Sequence, residues 1–327
     1  MRTLFLKADD PAVQRAAEVI RAGGLVAFPT ETVYGLGADA LSGSAVERIF
    51  EAKERPRGNP LIVHLADAAA LESIAARVPP QARAAAARFW PGPLTLVLPR
   101  AERVPLITTG GLDTVAARVP SHPVALALIG ASDRPIAAPS ANRSGRPSPT
   151  RAEHVLADLD GRIEMILDGG PTPVGVESTV VDMTTEPPML LRPGGVALEQ
   201  LRDCLGEVAV LKDDGEQAAE RSPGLRYRHY APRAQVIIVE RGTGEAAVAP
   251  WLEAHRPVAL MAQRPVSLAR PGLLVRTMPG DLEAYARDLF STLRELDSRG
   301  VEGIFVEAVP QEGLGLTIMD RLRRASS

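Results

Sequence analysis

The segment Lys53-Glu-Arg-Pro-Arg-Gly-Asn-Pro-Leu-Ile-Val-His64 constrains the fold more than any other. Pro56 and Pro60 lack a backbone donor and hold the residues before them extended, so no helix can run through this stretch. Leu61, Ile62 and Val63 follow at once and read as a buried strand. The chain must therefore place a stiff cationic loop at the mouth of a core strand, with His64 at the far end. Such a loop is either a solvated turn or a holder of an anion, which Arg meets as a fork and Lys as a point charge. Of the 37 basic residues only Lys7, Lys53 and Lys212 are lysines, so a chain that writes Arg elsewhere keeps Lys53 here.

The bulk numbers bound the class. A length of 327 residues suggests about two domains. With 45% apolar and 24% charged residues, a soluble globular protein with a sizeable core is expected. A net charge of −3 argues against gripping nucleic acid over a wide basic face. One cysteine, Cys204, excludes a disulfide framework and a thiolate metal cage. The histidines are scattered, without HExxH, so no metal site is expected. The N-terminus is too short and acidic for a signal peptide, and no apolar run approaches the ~18 residues of a membrane span. The expectation is a cytoplasmic protein with no membrane contact.

Asp10 before Pro11 reads as a helix cap with a proline at the first helical position, and Gly23-Gly24 as the helix end. Capping boxes at Ser44–Glu47 and Thr150–Glu153 predict further helices, the first running to Lys53. Short strands are predicted at 25–28, 61–63, 94–98, 136–138, 163–167 and 176–181, with another entering Arg118. Pro29–Gly37 reads as a hydroxyl-rich loop and Leu190–Gly195 as a turn. Helices and strands interleave without strict alternation, which predicts a mixed twisted sheet with helices. After residue 205 the composition turns acidic and polar. Ser222–Pro232 then carries two tyrosines, a histidine and two arginines between prolines, unlike a featureless linker. Beyond it, strands at 236–239, 258–261, 273–276 and 304–306 and helices at 244–255, 281–299 and 314–324 predict a small parallel α/β domain. The organisation expected is 1–205, a linker or lid over 206–233, and a second domain over 234–327.

Gly35-Leu-Gly37-Ala-Asp-Ala40 has dinucleotide-loop spacing. However, a polar loop separates it from the strand and the helix signal comes later, which disfavours that reading. GxxxxGK[ST] is absent, so an ATP site would be of another kind. Ser140-Ala-Asn142, with Arg143, Ser144 and Ser148, suits a phosphate or ribose as well as an ordinary Ser/Asn turn. Arg118 ends an apolar strand and either faces solvent or meets a carboxylate in a pocket. Arg192, before Pro193-Gly-Gly, is a turn cation or a second phosphate ligand. His64 alone suits a core histidine.

The order of these features carries a resemblance. Pro-Thr-Glu-Thr-Val-Tyr-Gly-Leu-Gly (29–37), Lys-x-Arg with Asn-Pro-Leu-Ile-Val-His (53–64), Trp-Pro-Gly-Pro-Leu-Thr (90–95) and Ala-Pro-Ser-Ala-Asn-x-Ser-Gly (138–145) resemble the YrdC-like family of threonylcarbamoyl-AMP synthases. So do Val-Glu-Ser-Thr-Val (176–180) and Leu-Arg-Pro-Gly (191–194). Ser-Pro-Gly through His-Tyr-Ala-Pro (222–232) with a C-terminal Rossmann-like parallel α/β domain resembles the long, two-domain form. Arg226 stands where the family more often has lysine.

The resemblance implies a nucleotidyltransferase that turns L-threonine, bicarbonate (or CO2) and ATP into threonylcarbamoyl-adenylate, pyrophosphate and water. Magnesium would ride on the phosphates. The product would pass to the tRNA threonylcarbamoyl transferase machinery, with transient tRNA contact allowed. It implies that Thr32, His64, Arg118, the backbone at Ala138, and Ser178 hold threonine. Arg55, Asn59, Thr114, Ser140, Ser148, Arg192 and Tyr230 would hold ATP. Lys53 and Asn142 complete the Lys-x-Arg and Ser-x-Asn motifs, Lys53 and Arg55 serving the chemistry and Asn142 the nucleotide. Tyr227, His229 and Tyr230 are candidates for a lid. Two rivals come from other classes. An RNA-binding module would use Lys53, Arg55, Arg57 and Arg143–Arg146 as a basic concavity, against which stand the net acidity and the 4% aromatic content. A carbamoyl transferase acting on a protein would be expected to carry zinc-finger cysteines, and these are absent.

Overall fold

The computed structural model describes residues 2–211 and 230–326. Arg226, Tyr227 and His229 lie outside the described residues. The first sheet is built from β1 (Leu4–Lys7), β2 (Val26–Phe28), β3 (Gly35–Asp39), β4 (Ile62–His64), β5 (Leu94–Pro99), β6 (Thr114–Arg118), β7 (Ile136–Ala137), β8 (Met165–Asp168), β9 (Thr179–Asp182), β10 (Met189–Arg192) and β11 (Ala209–Val210). Their spatial order is β1-β8-β2-β3-β7-β4-β6-β5-β9-β10-β11. Parallel pairs such as β4–β6 alternate with antiparallel ones such as β5–β6, so the sheet is mixed. The first domain's helices include α1 (Asp10–Arg21), α2 (Gly43–Lys53), α3 (Pro80–Phe89), α4 (Pro123–Ser132), α5 (Ala152–Leu159) and α6 (Leu198–Leu205).

Several local expectations shift. Asp9 caps α1, its carboxylate accepting from the Ala12 amide at 2.9 Å, so Asp10 lies inside the helix. Ser42, not Ser44, caps α2. The helix after Thr150 starts at Ala152 without a side-chain cap. The predicted polar loop at 29–37 ends early, because Gly35 opens β3, which pairs antiparallel with β2. A Cβ on Gly37 would stand 2.7 Å from both Phe28 and Ile136, so strand packing accounts for this glycine without a dinucleotide. Leu190–Arg192 is strand rather than turn. It is short and flanked by proline and glycine, and it gains its order by pairing with β9.

The second sheet is parallel, as expected, in the order β12 (Gln235–Val239), β15 (Gly303–Glu307), β13 (Val258–Ala262), β14 (Leu273–Thr277). α7 (Gly244–Glu253), α8 (Leu282–Ser298) and α9 (Leu314–Ser326) cover it. One apolar cluster spans both units: Val33 and Val176 from the first pack with Tyr230, Phe290, Leu293 and Ile318. Polar contacts cross as well. Arg294 donates to the Pro147 carbonyl (2.5 Å) and pairs with Asp158 (2.7 Å), and the Thr317 hydroxyl donates to the Gly194 carbonyl (3.0 Å).

Candidate active site

Strand register makes the centre of the site. In the parallel pair β4–β6, His64 lies opposite Arg118, so two sequence-distant residues share one face. Both are almost fully buried, at 4% and 3% exposure. The Arg118 guanidinium reaches the Thr32 hydroxyl at 3.0 Å and the Glu31 carboxylate at 2.7 Å. Its Nε makes no hydrogen bond among the described residues, which leaves a buried donor suited to a carboxylate. Burial first, and the Arg118 charge second, hold His64 down to about 3, so its ring is neutral. The ring Nδ1 then donates to the Ile62 carbonyl at 3.2 Å.

A sharp turn positions the next cation. Glu54 ends α2 in the left-handed region, at φ 54°, and the Arg55 amide returns to the Phe50 carbonyl at 2.8 Å. Exposed Glu54 is tied to Arg143 (2.5 Å) and Arg162 (2.8 Å). Arg55 points inward, where burial and nearby Arg192 lower its guanidinium to about 10. Arg192 ends β10, and its Nε and Nη2 donate to the Ser178 carbonyl at 3.2 and 2.9 Å. The following turn lies tight against β9: a Cβ on Gly194 would stand 2.2 Å from the Thr179 nitrogen. Two buried guanidiniums whose charged forms are both disfavoured by burial create a local demand for an anion.

One cavity gathers Thr32, Arg55, His64, Arg118, Ala138, Ser140, Ser178, Arg192 and Tyr230 in its wall. Its volume is about 60 Å³, small against the roughly 300–1,000 Å³ of ligand pockets. The remaining predicted residues are not among those in its wall. Lys53 is buried, and its ammonium donates to the carbonyls of Ser140 (2.5 Å) and Asn142. Burial pushes its pKa well below the lysine range. It braces the Ser140 loop. Asn142 ties that loop internally, accepting from the Ser140 hydroxyl (2.5 Å) and donating to the Arg143 and Arg146 carbonyls. Ser148 donates to Glu177 at 2.5 Å. Asn59 is buried, and Thr114 is half-buried at the start of β6.

Three charged residues of the site were not read from the sequence. Glu31 and Glu177 lie inside the motifs quoted for the resemblance, but a carboxylate in an anion pocket gives no sequence signal of its own. Arg321, on α9, has no motif at all, yet it binds Glu177 at 2.6 Å. Among the described residues no group of three or more His, Cys, Asp and Glu could hold a metal. Glu31 and Glu177 are each paired with an arginine.

A family model described as Telomere recombination matches residues 18–194, and one described as Threonylcarbamoyl-AMP synthase, C-terminal domain, matches residues 196–327. The threonylcarbamoyl-AMP synthase of Pyrococcus abyssi is 51% identical over 322 residues, covering 96% of this chain and 94% of the relative. That of Bacillus subtilis is 46% identical, covering 98% and 94%. A crystal structure of P. abyssi Sua5 complexed with L-threonine aligns with a TM-score of 0.92 at 48% identity, over 99% of this chain and 97% of that one. With both halves matched in order along nearly the full length, the chain belongs to the threonylcarbamoyl-AMP synthase family, in its long two-domain form.

Proposed function

We propose that this protein makes L-threonylcarbamoyl-adenylate from L-threonine, bicarbonate (or CO2) and ATP, releasing pyrophosphate and water. One observation carries the reading: a single cavity wall holds both Thr32, His64 and Arg118, which we assign to the amino-acid end, and Arg55, Ser140, Arg192 and Tyr230, which we assign to the nucleotide end. The relative crystallised with L-threonine supports threonine as a substrate. Arg118 offers its buried Nε to the threonine carboxylate, and Thr32 and Ser178 hydrogen-bond the substrate. Neutral His64 adds no charge to oppose the amine.

The amine, in its neutral form, adds to CO2, which bicarbonate yields with loss of water, and releases a proton to solvent to give a carbamate. A carbamate oxygen attacks the α-phosphorus in line, and pyrophosphate leaves from the opposite side. Little proton transfer is needed, so positioning and charge neutralisation dominate. Arg55 and Arg192 neutralise the phosphates, Ser140 binds among them, and Tyr230 covers the nucleotide. Lys53 and Asn142 act one step back, fixing the loop that carries Ser140. Asn59, Thr114 and Ser148 support the same end. ATP enters as its magnesium complex, with the ion on phosphate oxygens. The adenylate passes to a transferase that modifies the adenosine beside the tRNA anticodon.

An RNA-binding role is less well supported, because three of its cations are already paired, Arg57 with Glu47, Arg143 with Glu54 and Arg146 with Asp158, and the other two, Lys53 and Arg55, are buried. The deciding experiment incubates the protein with ATP, bicarbonate and single amino acids and follows pyrophosphate. Release that needs both threonine and bicarbonate is expected. Release indifferent to either overturns the reading. Valine should be rejected strongly, since its missing hydroxyl leaves buried polar groups unpaired.

A further inference from the structure

Glu177 is an awkward residue for a nucleotide site. It lines the cavity beside Arg192 and Tyr230, where an uncompensated carboxylate would repel a polyphosphate. Its counter-charge comes from the other domain. Arg321, in the last helix α9, is 1% exposed, and its Nε donates to Glu177 Oε2 at 2.6 Å. Its Nη2 donates to the Pro193 carbonyl at 2.9 Å, one residue beyond Arg192. Its guanidinium carbon lies 5.3 Å from the centre of the Tyr230 ring. Asp320 binds Arg321, and Arg324 binds Asp320 at 3.1 Å, so the four charges balance. The other Glu177 oxygen accepts from Ser148 at 2.5 Å. One guanidinium thus touches a carboxylate of the nucleotide wall, the turn after Arg192 and the face of Tyr230.

We propose that Arg321 is a positioning residue for the nucleotide end of the cavity: it neutralises Glu177 and fixes its carboxylate, so that the second domain completes the ATP site electrically. This rests on the function proposed above and extends it to a residue outside the first domain. Arg321 touches no substrate and acts through Glu177.

The test measures binding of a non-hydrolysable ATP analogue and of L-threonine, separately, by calorimetry on the full chain. Arg321→Met should weaken the analogue at least about tenfold, because Glu177 is left charged and unpaired, with threonine affinity within about twofold. The double variant Arg321→Met, Glu177→Gln should bind the analogue within about threefold of Glu177→Gln alone, because the charge that Arg321 cancels is gone. An unchanged analogue affinity in Arg321→Met overturns the proposal. So does an equal loss for both ligands, or a double variant far weaker than Glu177→Gln. If Arg321→Met does not fold, the comparison of the double variant with Glu177→Gln decides alone. Wild-type pyrophosphate release, run alongside, reports separately on the proposed reaction.

Discussion

The two domains bury polar groups in different ways. In the first, Thr30, Thr32, Arg55, His64, Arg118, Ser178 and Arg192 are buried in the wall of one cavity, beside β4, β6 and the loops before β9 and after β7. In the second, the buried polar residues among those described are Thr292, Glu307, Thr317 and Arg321. Two of these lie on α9 and make their hydrogen bonds across to the first domain. The second domain's parallel sheet would suit a ligand at the carboxyl ends of its strands. There, however, Glu307 already accepts from the Gly244 amide and pairs with Arg264. The difference teaches that a fold able to host its own site can instead direct its buried chemistry into a neighbour's.

That contrast breaks most readily at Phe290. The ring is fully buried in α8 and stacks on Tyr230, with centroids 5.3 Å apart and planes at 28°. Phe290→Ala should cost about 3–5 kcal/mol in urea unfolding. It should also raise the ATP KM while leaving the threonine KM near wild type, since Tyr230 loses its support. If stability falls but the ATP KM stays put, the second domain does not shape the nucleotide end.

A change confined to the first domain sharpens the other half of the comparison. Arg118→Lys keeps the charge beside Glu31 but loses the fork. The threonine KM should rise by about 1–3 kcal/mol, roughly 5- to 150-fold, and exceed any change in the ATP KM. Steady-state kinetics with each substrate varied in turn would show it. An unchanged threonine KM removes Arg118 from the amino-acid site.

Much of the fold was legible because it rests on local signals. The prolines at 56 and 60 stop α2, the apolar run that follows becomes β4, and the second domain's strands alternate plainly with helices. β3 was not legible, because Gly35 and Gly37 read as loop residues, and their strand state depends on contact with Phe28 and Ile136. The cap positions slipped where two eligible residues stood close together, as at Asp9 and Asp10. Within the site, the motif residues Arg55, His64, Arg118 and Arg192 converge on one cavity, as their order in the chain suggested. The Lys53 ammonium, next to Arg55, reads as a phosphate ligand, yet its bonds go to two loop carbonyls 87 and 89 residues away. Arg321 could not be found, since nothing local distinguishes it from the other arginines of its helix.

The smallest effect probes whether the amino-acid end is as dry as its burial implies. His64 is held down to about 3 in the folded protein, against an ordinary value near 6.5 when unfolded. Between those values the unfolded chain binds the extra proton, so stability rises with pH. The contribution is fully present above about 6.5 and is lost as pH falls toward about 3. His64→Gln removes the group and with it this share of the slope. Between pH 7.5 and 5.5 the wild type should therefore lose about 1.4 kcal/mol more than the variant, read as the difference in urea midpoints. Parallel losses would mean that water or a wider opening lets His64 titrate normally. Arg118 would then face a wetter, better-screened environment, and its fork would discriminate for threonine less strongly than a buried one.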